Sequence, residues 1–171
     1  GALNQPGPNG IRVAIAPGLS PEQFLGRQRT GAIVVAGGPT MGTRWSARIV
    51  DPPEGSVAAI EVVLARIIDQ MSNWEADSAV SRFNRAPIGE WMALPPDMLT
   101  VLRAGLEVAR VSNGAFDPAI GHLVDQWGFG PAPRAAVPSP PSPWTCIAVE
   151  DDRACRLANV ALDFSGIAKG F

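Results

Sequence analysis

Hydrophobic and polar residues alternate along TRWSARIV, residues 43–50. Trp45, Ala47 and Ile49 fall on one side, and the arginines and the serine between them fall on the other. This period of two predicts a strand that is buried on one face. The short apolar run at 32–36 predicts a second strand, and the glycine-rich stretch 37–42 is predicted to be the turn between them.

Two stretches show the spacing of amphipathic helices. The first is predicted over 57–71 with Ser56 as its N-cap, and the second over about 96–112 with Asn113-Gly114 as a left-handed stop. The core-facing positions of the first helix are Val57, Ile60, Leu64, Ile67, Ile68 and Met71. Those of the second are Met98, Val101, Leu102, Gly105, Leu106 and Ala109.

The last quarter of the chain predicts a surface connection, a hairpin, a strand and the start of a helix. The proline-rich stretch 131–143 is incompatible with a helix or a central strand, which predicts a stiff surface connection. A hairpin is predicted over 145–157 with its turn at Asp151-Asp152, followed by a strand at 159–164 and the start of a helix at 165–171. Together these elements indicate an α+β fold with a mostly antiparallel sheet and packed helices.

Composition narrows the classes of protein that fit. A length of 171 residues predicts one domain, and the 46% apolar share suffices for a core. A net charge of −2 gives no broad attraction for nucleic acid or anionic lipid. No apolar run is long enough to span a membrane, and the first ten residues lack the pattern of a secretory signal. Residues 1–30 are weakly patterned and are interpreted as an arm or edge element.

The chain has two cysteines, Cys146 and Cys155. In the predicted hairpin, Cys146 lies across from Leu157 and Cys155 lies across from Ala148. The two sulfur atoms then share a face but are diagonal to each other, which is unfavourable for a disulfide. Reduced, half-buried thiols are therefore expected.

Asp117 is the most constrained acidic residue, since Pro118 forces it into an extended conformation and Phe116 precedes it. A carboxylate held in this way can accept hydrogen bonds from a ligand. It can also cap the backbone amides of the next turn, Ala119–Gly121, and residue chemistry favours that second interpretation.

Trp74 lies in 72–84, which is predicted to be a loop with a small cap at Asp77 or Ser78. An aromatic residue there can stack on a planar ligand or cover the core, and covering the core is the commoner role. His122 has no second histidine and no cysteine nearby, so no metal site is predicted at it.

Asp163 and Lys169 flank the predicted turn at Ser165-Gly166. Free amides in such a turn suit an anion, and the lysine could hold a phosphate or a flavin carbonyl. An aspartate cap with an exposed lysine is the alternative, because the spacing of a phosphate-binding P-loop is absent. Glycine-rich loops of this kind would form a cleft if they met at one end of a sheet.

Four segments taken in order resemble the FAD:protein FMN transferase family, the ApbE-like flavin transferases formerly labelled thiamine biosynthesis lipoproteins. They are PTMGTRWSARI at 39–49, MSNWEADSAVSRFN at 71–84, SNGAFDPAIGHLVDQWGFG at 112–130 and LDFSGIAKGF at 162–171. The resemblance implies a T-fold-like flavin transferase domain over 39–171, preceded by an arm or edge element at 1–38. Members of the family are about twice as long, so this chain would be the N-terminal portion of such a domain, incomplete at the C-terminus.

The resemblance also implies roles for particular residues. The positions that match FAD contacts are Met41, Trp74, Ala115, Phe116, Asp117, Asp163 and Lys169. Trp74 stands where the family often has a tyrosine that packs on the isoalloxazine ring. Gly166 matches a backbone carbonyl that helps to bind Mg²⁺, and no catalytic residue is assigned.

The implied reaction transfers FMN from FAD to a Thr or Ser hydroxyl of a partner flavoprotein, of the kind found in redox complexes, through a phosphoester bond. AMP is released and Mg²⁺ assists. A non-catalytic FAD-binding protein and an FAD pyrophosphatase are the alternatives. The resemblance further implies a periplasmic or inner-membrane-anchored lipoprotein, with any lipid anchor outside this segment.

Overall fold

A computed structural model of the protein describes residues 30–131 and 138–168. This part of the chain contains both helices and antiparallel strands, which confirms the predicted α+β class. The elements are β1 (Ile33–Thr40), β2 (Thr43–Val50), α1 (Ser56–Met71), α2 (Ala79–Arg85), β3 (Trp91–Ala93), α3 (Pro96–Val111), α4 (Gly121–Gln126), β4 (Ile147–Glu150) and β5 (Arg153–Arg156). A short 3₁₀ turn at Pro143–Cys146 leads into β4.

The strands form two separate antiparallel sheets in the described residues. β1 pairs with β2, and the second sheet has the order β3-β5-β4. Helices α2 and α3 contribute fully buried side chains to one core that also contains Leu162 and Phe164. None of the helices in 30–131 and 138–168 has the length and apolar character that crossing a bilayer requires.

The β1–β2 hairpin is longer than the sequence predicts. Its turn comprises only Met41 and Gly42, with φ angles of 40° and 72°, and β1 continues through Gly37 and Gly38 to Thr40. Prediction of a turn over 37–42 was therefore wrong. The two earlier glycines are needed for close approach to β2, because a Cβ atom at Gly37 would lie 2.8 Å from the Trp45 carbonyl oxygen. The inner face of β2 is half-buried as predicted.

Helix α1 begins one residue earlier than predicted and does not use Ser56 as a side-chain cap. Gly55 occupies the N-cap with a φ of 79°, and the Ser56 Oγ donates to the Pro53 carbonyl at 2.7 Å. Of the predicted stripe, Ile67 and Met71 are buried and the other positions are half-buried.

Helix α2 lies inside the stretch that was predicted to be a loop. The cap prediction at Ser78 is confirmed: its Oγ accepts the Ser81 N–H at 3.2 Å and donates to the Ser72 carbonyl at 2.7 Å. Val80 and Phe83 are buried in the core, so packing compensates for the short length of this helix.

Helix α3 and its end agree closely with the sequence pattern. Five of the six predicted core positions are buried and Leu106 is half-buried. Asn113 and Gly114 have φ angles of 51° and 80°, and the Gly114 N–H donates to the Ala109 carbonyl at 2.8 Å. The predicted left-handed stop is confirmed.

The β4–β5 hairpin has the predicted register. Ala148 pairs with Cys155, and the Leu157 N–H donates to the Cys146 carbonyl at 2.8 Å. Both thiols are free, with Cys155 buried and Cys146 half-buried, which agrees with the expected reduced state. Strand β3, which was not predicted, pairs with β5 on its other side.

Arg156 at the end of β5 is buried with only 6% exposure. Its Nη1 donates to the Val160 carbonyl at 2.8 Å, and its Nη2 donates to the Ala86 carbonyl that follows α2. The guanidinium therefore connects the second sheet to the end of α2.

Prediction of a strand over 159–164 was wrong. A single parallel bridge, Ile120 to Ala161, is the only sheet-like pairing of this segment within the described chain. The N–H and carbonyl of Leu162 are bound instead by the side chain of Asn84, so no strand occupies that position. Residues 165–168 form a turn; residues 169–171 of the predicted helix, like 132–137 of the proline-rich stretch and the arm before residue 30, lie outside the described residues.

Candidate functional site

A cleft of about 110 Å³ opens where the β1–β2 turn meets the end of α1 and the 163–168 segment. Met41, Trp74 and Asp163, three residues that the sequence singles out, line it together. Phe129, Phe164 and Asn73 are further lining residues, and we refer to this space as the Trp74 cleft. It is mainly apolar with a carboxylate at its edge, which suits a planar aromatic ligand carrying polar groups.

The β1–β2 turn fixes the indole ring of Trp74. Gly42 faces the ring so closely that a Cβ atom there would lie 2.6 Å from Trp74 Cε2. The backbone N–H of Trp74 donates to Ser72 Oγ at 3.3 Å. The residue keeps 50% of its surface exposed. Met41 is half-buried against the core in a left-handed conformation that methionine rarely adopts. A half-exposed, position-restricted ring of this kind can stack on a ligand at low entropic cost.

Asp163 lies at the polar edge of the Trp74 cleft. Its N–H donates to the Pro118 carbonyl at 2.8 Å, and its Oδ1 accepts the Ser165 N–H at 2.8 Å. The aspartate therefore caps the 163–168 turn, as the alternative interpretation expects, and still borders the cleft. Lys169 lies outside the described residues, so its place relative to Asp163 stays a prediction.

Two backbone amides donate hydrogen bonds to the Asp117 carboxylate. Its Oδ1 accepts the Ala119 N–H at 2.8 Å and its Oδ2 accepts the Trp144 N–H at 3.1 Å. This is the capping role that residue chemistry favoured, extended to a second amide from the far side of the proline-rich stretch. Burial raises the pKa of Asp117 above its usual value, and the two backbone hydrogen bonds oppose that rise only in part.

Phe116 connects the Asp117 segment to the cleft-lining segment. A Cβ atom at Gly166 would lie 3.3 Å from Phe116 Cε2, so the ring packs directly against that glycine. Ala115 is exposed, Phe116 and Asp117 are half-buried, and none of the three is among the residues that line the Trp74 cleft. The structure thus brings Met41, Trp74 and Asp163 together and packs Phe116 against Gly166 in the 163–168 segment.

A second, more polar cleft of about 230 Å³ shares Asn73 and Trp74 with the first. Asn84, Arg85 and His122 also line it. The His122 Nε2 lies 3.2 Å from Asn159 Oδ1. Across residues 30–131 and 138–168, no group of three or more His, Cys, Asp or Glu side chains could hold a metal ion.

Sequence reasoning did not single out Asn73 or Phe129 as individual site residues. Both lie within the motif segments 71–84 and 112–130, where Asn73 directly precedes Trp74 and Phe129 stands between two glycines. The one local signal that could have indicated Phe129 is its position between two glycines. Glycines have no side chains, so the neighbours in sequence cannot cover the ring.

We expect Asp117→Asn to change how stability depends on pH. Because the folded-state pKa is raised above 3.8, the folded protein holds this proton at pH values where the unfolded chain has released it. The stability that protonated Asp117 contributes is complete below pH 3.8 and is lost as the pH rises through the folded-state pKa. Urea unfolding at several pH values in the acid range would measure this, and the Asn variant should lack that decline.

The same variant also places an amide group against two backbone donors, which should cost about 1–3 kcal/mol of unfolding free energy at neutral pH. Identical pH profiles for the wild type and Asp117→Asn would contradict the raised pKa.

A protein-family model for the ApbE family matches residues 41–171. The FAD:protein FMN transferase of Vibrio cholerae is 33% identical over 119 residues, which cover 67% of this chain and 36% of that protein. The FAD:protein FMN transferase of Haemophilus influenzae is 29% identical over 182 residues, which cover 93% of this chain and 51% of that protein. The chain thus spans about half the length, or less, of these curated relatives.

Solved structures agree with the sequence comparisons. The flavin transferase ApbE from Vibrio cholerae has a TM-score of 0.72 at 29% identity, covering 81% of this chain and 50% of that one. The flavinyl transferase ApbE from Pseudomonas stutzeri, in its apo form, has a TM-score of 0.69 at 29% identity, covering 85% of this chain and 53% of that one. Because the family model matches residues 41–171, which is most of this chain, and these structures share its fold, the chain belongs to the ApbE family.

Proposed function

We propose that this chain forms the flavin-binding part of an FAD:protein FMN transferase. In the proposed reaction, a Thr or Ser hydroxyl oxygen of a partner protein attacks the flavin-side phosphorus of FAD. A new P–O bond joins FMN to the partner, the pyrophosphate bond breaks, AMP leaves with the bridging oxygen, and the hydroxyl proton is released. The relatives' names state a transfer of FMN from FAD to a protein, which supports the proposal, and the chain matches about half of their length or less.

The observation that carries the proposal is the meeting of Met41, Trp74 and Asp163 at one cleft. These residues come from three distant parts of the chain, and each matches a position that the family resemblance assigns to FAD. A half-exposed indole supplies a stacking surface for an isoalloxazine ring, and stacking of this kind contributes about 0.5–1.5 kcal/mol. The Asp163 carboxylate at the edge can accept a hydrogen bond from a ring N–H or a ribityl hydroxyl.

Mg²⁺ is a further part of the proposal, and the described residues do not hold it alone. Gly166 offers one backbone carbonyl, whereas Mg²⁺ requires near-octahedral oxygen ligation. No described group of carboxylates completes such a site. Substrate phosphates and water are the usual further ligands of Mg²⁺ in phosphoryl transfer.

The partner and the compartment are also proposals. We propose a flavin-accepting protein with an exposed Thr or Ser, of the redox-complex subunit type, and a periplasmic or membrane-anchored location. Both rest on the family resemblance.

The function is tested by incubating the protein with FAD, Mg²⁺ and an acceptor protein that carries the Thr. We expect flavin fluorescence that stays with the acceptor band on a denaturing gel, together with one AMP released for each flavin attached. FMN in place of FAD is the matched control, because it lacks the pyrophosphate bond and should label nothing.

The other outcomes identify the alternatives. AMP and FMN that appear without an acceptor would indicate an FAD pyrophosphatase. FAD binding without AMP release would indicate a non-catalytic FAD-binding protein, and no binding of FAD at all would contradict all three.

A further inference from the structure

Leu162 lies in the core beside Asp163, and side-chain amides bind its backbone where a neighbouring strand would otherwise do so. The Asn84 Oδ1 accepts the Leu162 N–H at 2.7 Å, and the Asn84 Nδ2 donates to the Leu162 carbonyl at 2.9 Å. The Asn73 Nδ2 donates to the same carbonyl at 2.9 Å. One carboxamide from α2 therefore satisfies both polar groups of a residue 78 positions later in the chain.

The opposite side of this segment is held by backbone. The Gly121 N–H donates to the Ala161 carbonyl at 2.8 Å, and the Asp163 N–H donates to the Pro118 carbonyl at 2.8 Å. The segment 161–163 is thus bound on one side by 118–121 and on the other by Asn84 and Asn73. Because Leu162 is completely buried, every one of these polar groups needs its partner.

This arrangement determines where the Asp163 carboxylate lies. The two peptide groups that flank a residue set the position of its Cα atom. The Leu162 carbonyl belongs to the peptide group that precedes Asp163, so the contacts of that carbonyl bear on where Asp163 lies. Loss of the Asn84 contacts would leave the Leu162 N–H without its acceptor and the Leu162 carbonyl with Asn73 alone, while the Pro118 contact on the other side remained. The segment could then shift toward 118–121 and carry Asp163 away from the Trp74 cleft.

We propose that Asn84 is a positioning residue for FAD binding: through its paired hydrogen bonds to Leu162, it holds Asp163 at the edge of the Trp74 cleft. The inference rests on the proposed function, since it concerns the site at which FAD binds. Asn84 also borders the second cleft, so a direct contact with the ligand is the competing role.

A double-mutant cycle separates the two roles. FAD affinity is measured by quenching of tryptophan fluorescence for the wild type, Asn84→Leu, Asp163→Ala and the double variant. Leucine has nearly the shape of asparagine and removes both hydrogen bonds. We expect Asn84→Leu to weaken FAD binding about fivefold, and the double variant to bind no more weakly than Asp163→Ala alone, since coupled residues are non-additive.

Asn159→Leu is the matched control, because it removes an exposed carboxamide three positions before Leu162 without touching the Leu162 backbone. It should leave FAD affinity unchanged. Asn84→Ala removes the same two hydrogen bonds with a smaller side chain, so it should show a similar loss and serves if the leucine variant does not fold.

Additive losses from Asn84→Leu and Asp163→Ala would overturn the positioning role and favour a direct ligand contact. Hydrogen exchange at the Leu162 and Asp163 amides gives a readout that does not depend on FAD: exchange in the ligand-free Asn84→Leu variant should be faster than in the wild type. If wild-type protein binds no FAD, the proposed function fails, and unchanged exchange at these amides would separately overturn the positioning role.

Discussion

Replacing Gly42 by alanine is expected to weaken FAD binding by about tenfold, which corresponds to about 1.4 kcal/mol. The new methyl group would lie 2.6 Å from Trp74 Cε2 and 2.8 Å from its Nε1, which is too close for a methyl carbon against ring atoms. Because the indole is half-exposed, it can rotate away more cheaply than the turn can open. The fold should survive, and the stacking surface should be lost.

The backbone cost of this substitution can be measured separately. Gly42 has a φ of 72°, and alanine in that conformation costs about 1–2 kcal/mol. Gly31 has the same φ of 72° and nothing within 4 Å of where its Cβ atom would be. Gly31→Ala should therefore lose a similar amount of stability in urea unfolding and keep the FAD affinity of the wild type.

FAD titrations of the two variants, with tryptophan quenching as the signal, complete the comparison. Equal affinities for Gly42→Ala and Gly31→Ala would mean that the position of the Trp74 ring does not matter for binding. That outcome would remove Trp74 from the proposed site.

Gly121→Ala is expected to lower the free energy of unfolding by about 2–3 kcal/mol, at the upper end of what overpacking a core costs. A Cβ atom at Gly121 would lie 2.9 Å from the Ala161 carbonyl oxygen and 3.0 Å from the Ala161 Cβ. The obstacle is backbone, so it cannot rotate away. The segments 118–121 and 161–163 would have to separate, which breaks the hydrogen bonds that join them.

Gly105 in α3 provides the matched control for Gly121. Its Cβ atom would meet Pro118 at 3.4 Å, an ordinary contact, and alanine gains about 1 kcal/mol over glycine in a helix. Gly105→Ala should be neutral or slightly stabilising in urea unfolding. A Gly121→Ala variant as stable as the wild type would show that 118–121 and 161–163 can separate without cost, and it would weaken the account of how Asp163 is held.

Elements whose structure depends on neighbours in sequence could be predicted. The stripe of α3 and its Asn113-Gly114 stop are local signals, and so is the two-residue turn at Asp151-Asp152 that sets the β4–β5 register. The diagonal cysteines follow directly from that register. In each case the residues that determine the conformation lie within a few positions of one another.

Elements whose partners are distant could not be predicted. The apolar pattern of 159–164 is typical of a strand, but Asn84 occupies the place of a paired strand, and nothing near Leu162 in sequence indicates it. Helix α2 has only seven residues, too few for a helical period to stand out, and packing of Phe83 in the core stabilises it. Gly37 and Gly38 were predicted to lie in a turn because glycine is typical of turns. Their close approach to β2 depends on how the two strands pair, and the sequence of β1 alone does not show that.

Some features of the candidate site could be predicted from local sequence, and others depend on tertiary packing. Chemistry alone favoured a capping role for Asp117, and the structure shows that role. That Met41, Trp74 and Asp163 share one cleft followed only from the resemblance, since they are far apart in the chain. Phe129 and Asn73 join them through tertiary packing, which no single segment of the sequence encodes.

The guanidinium of Arg156 has a consequence for how the protein opens. A seven-residue helix would ordinarily fray from its end many times before the whole molecule unfolds. Fraying of α2 at Ala86 would leave a buried cation without one of its acceptors, so local release there is penalised. Helix α2 should therefore melt in the same cooperative unit as the β3-β5-β4 sheet, which gives a seven-residue helix the rigidity of the protein's interior.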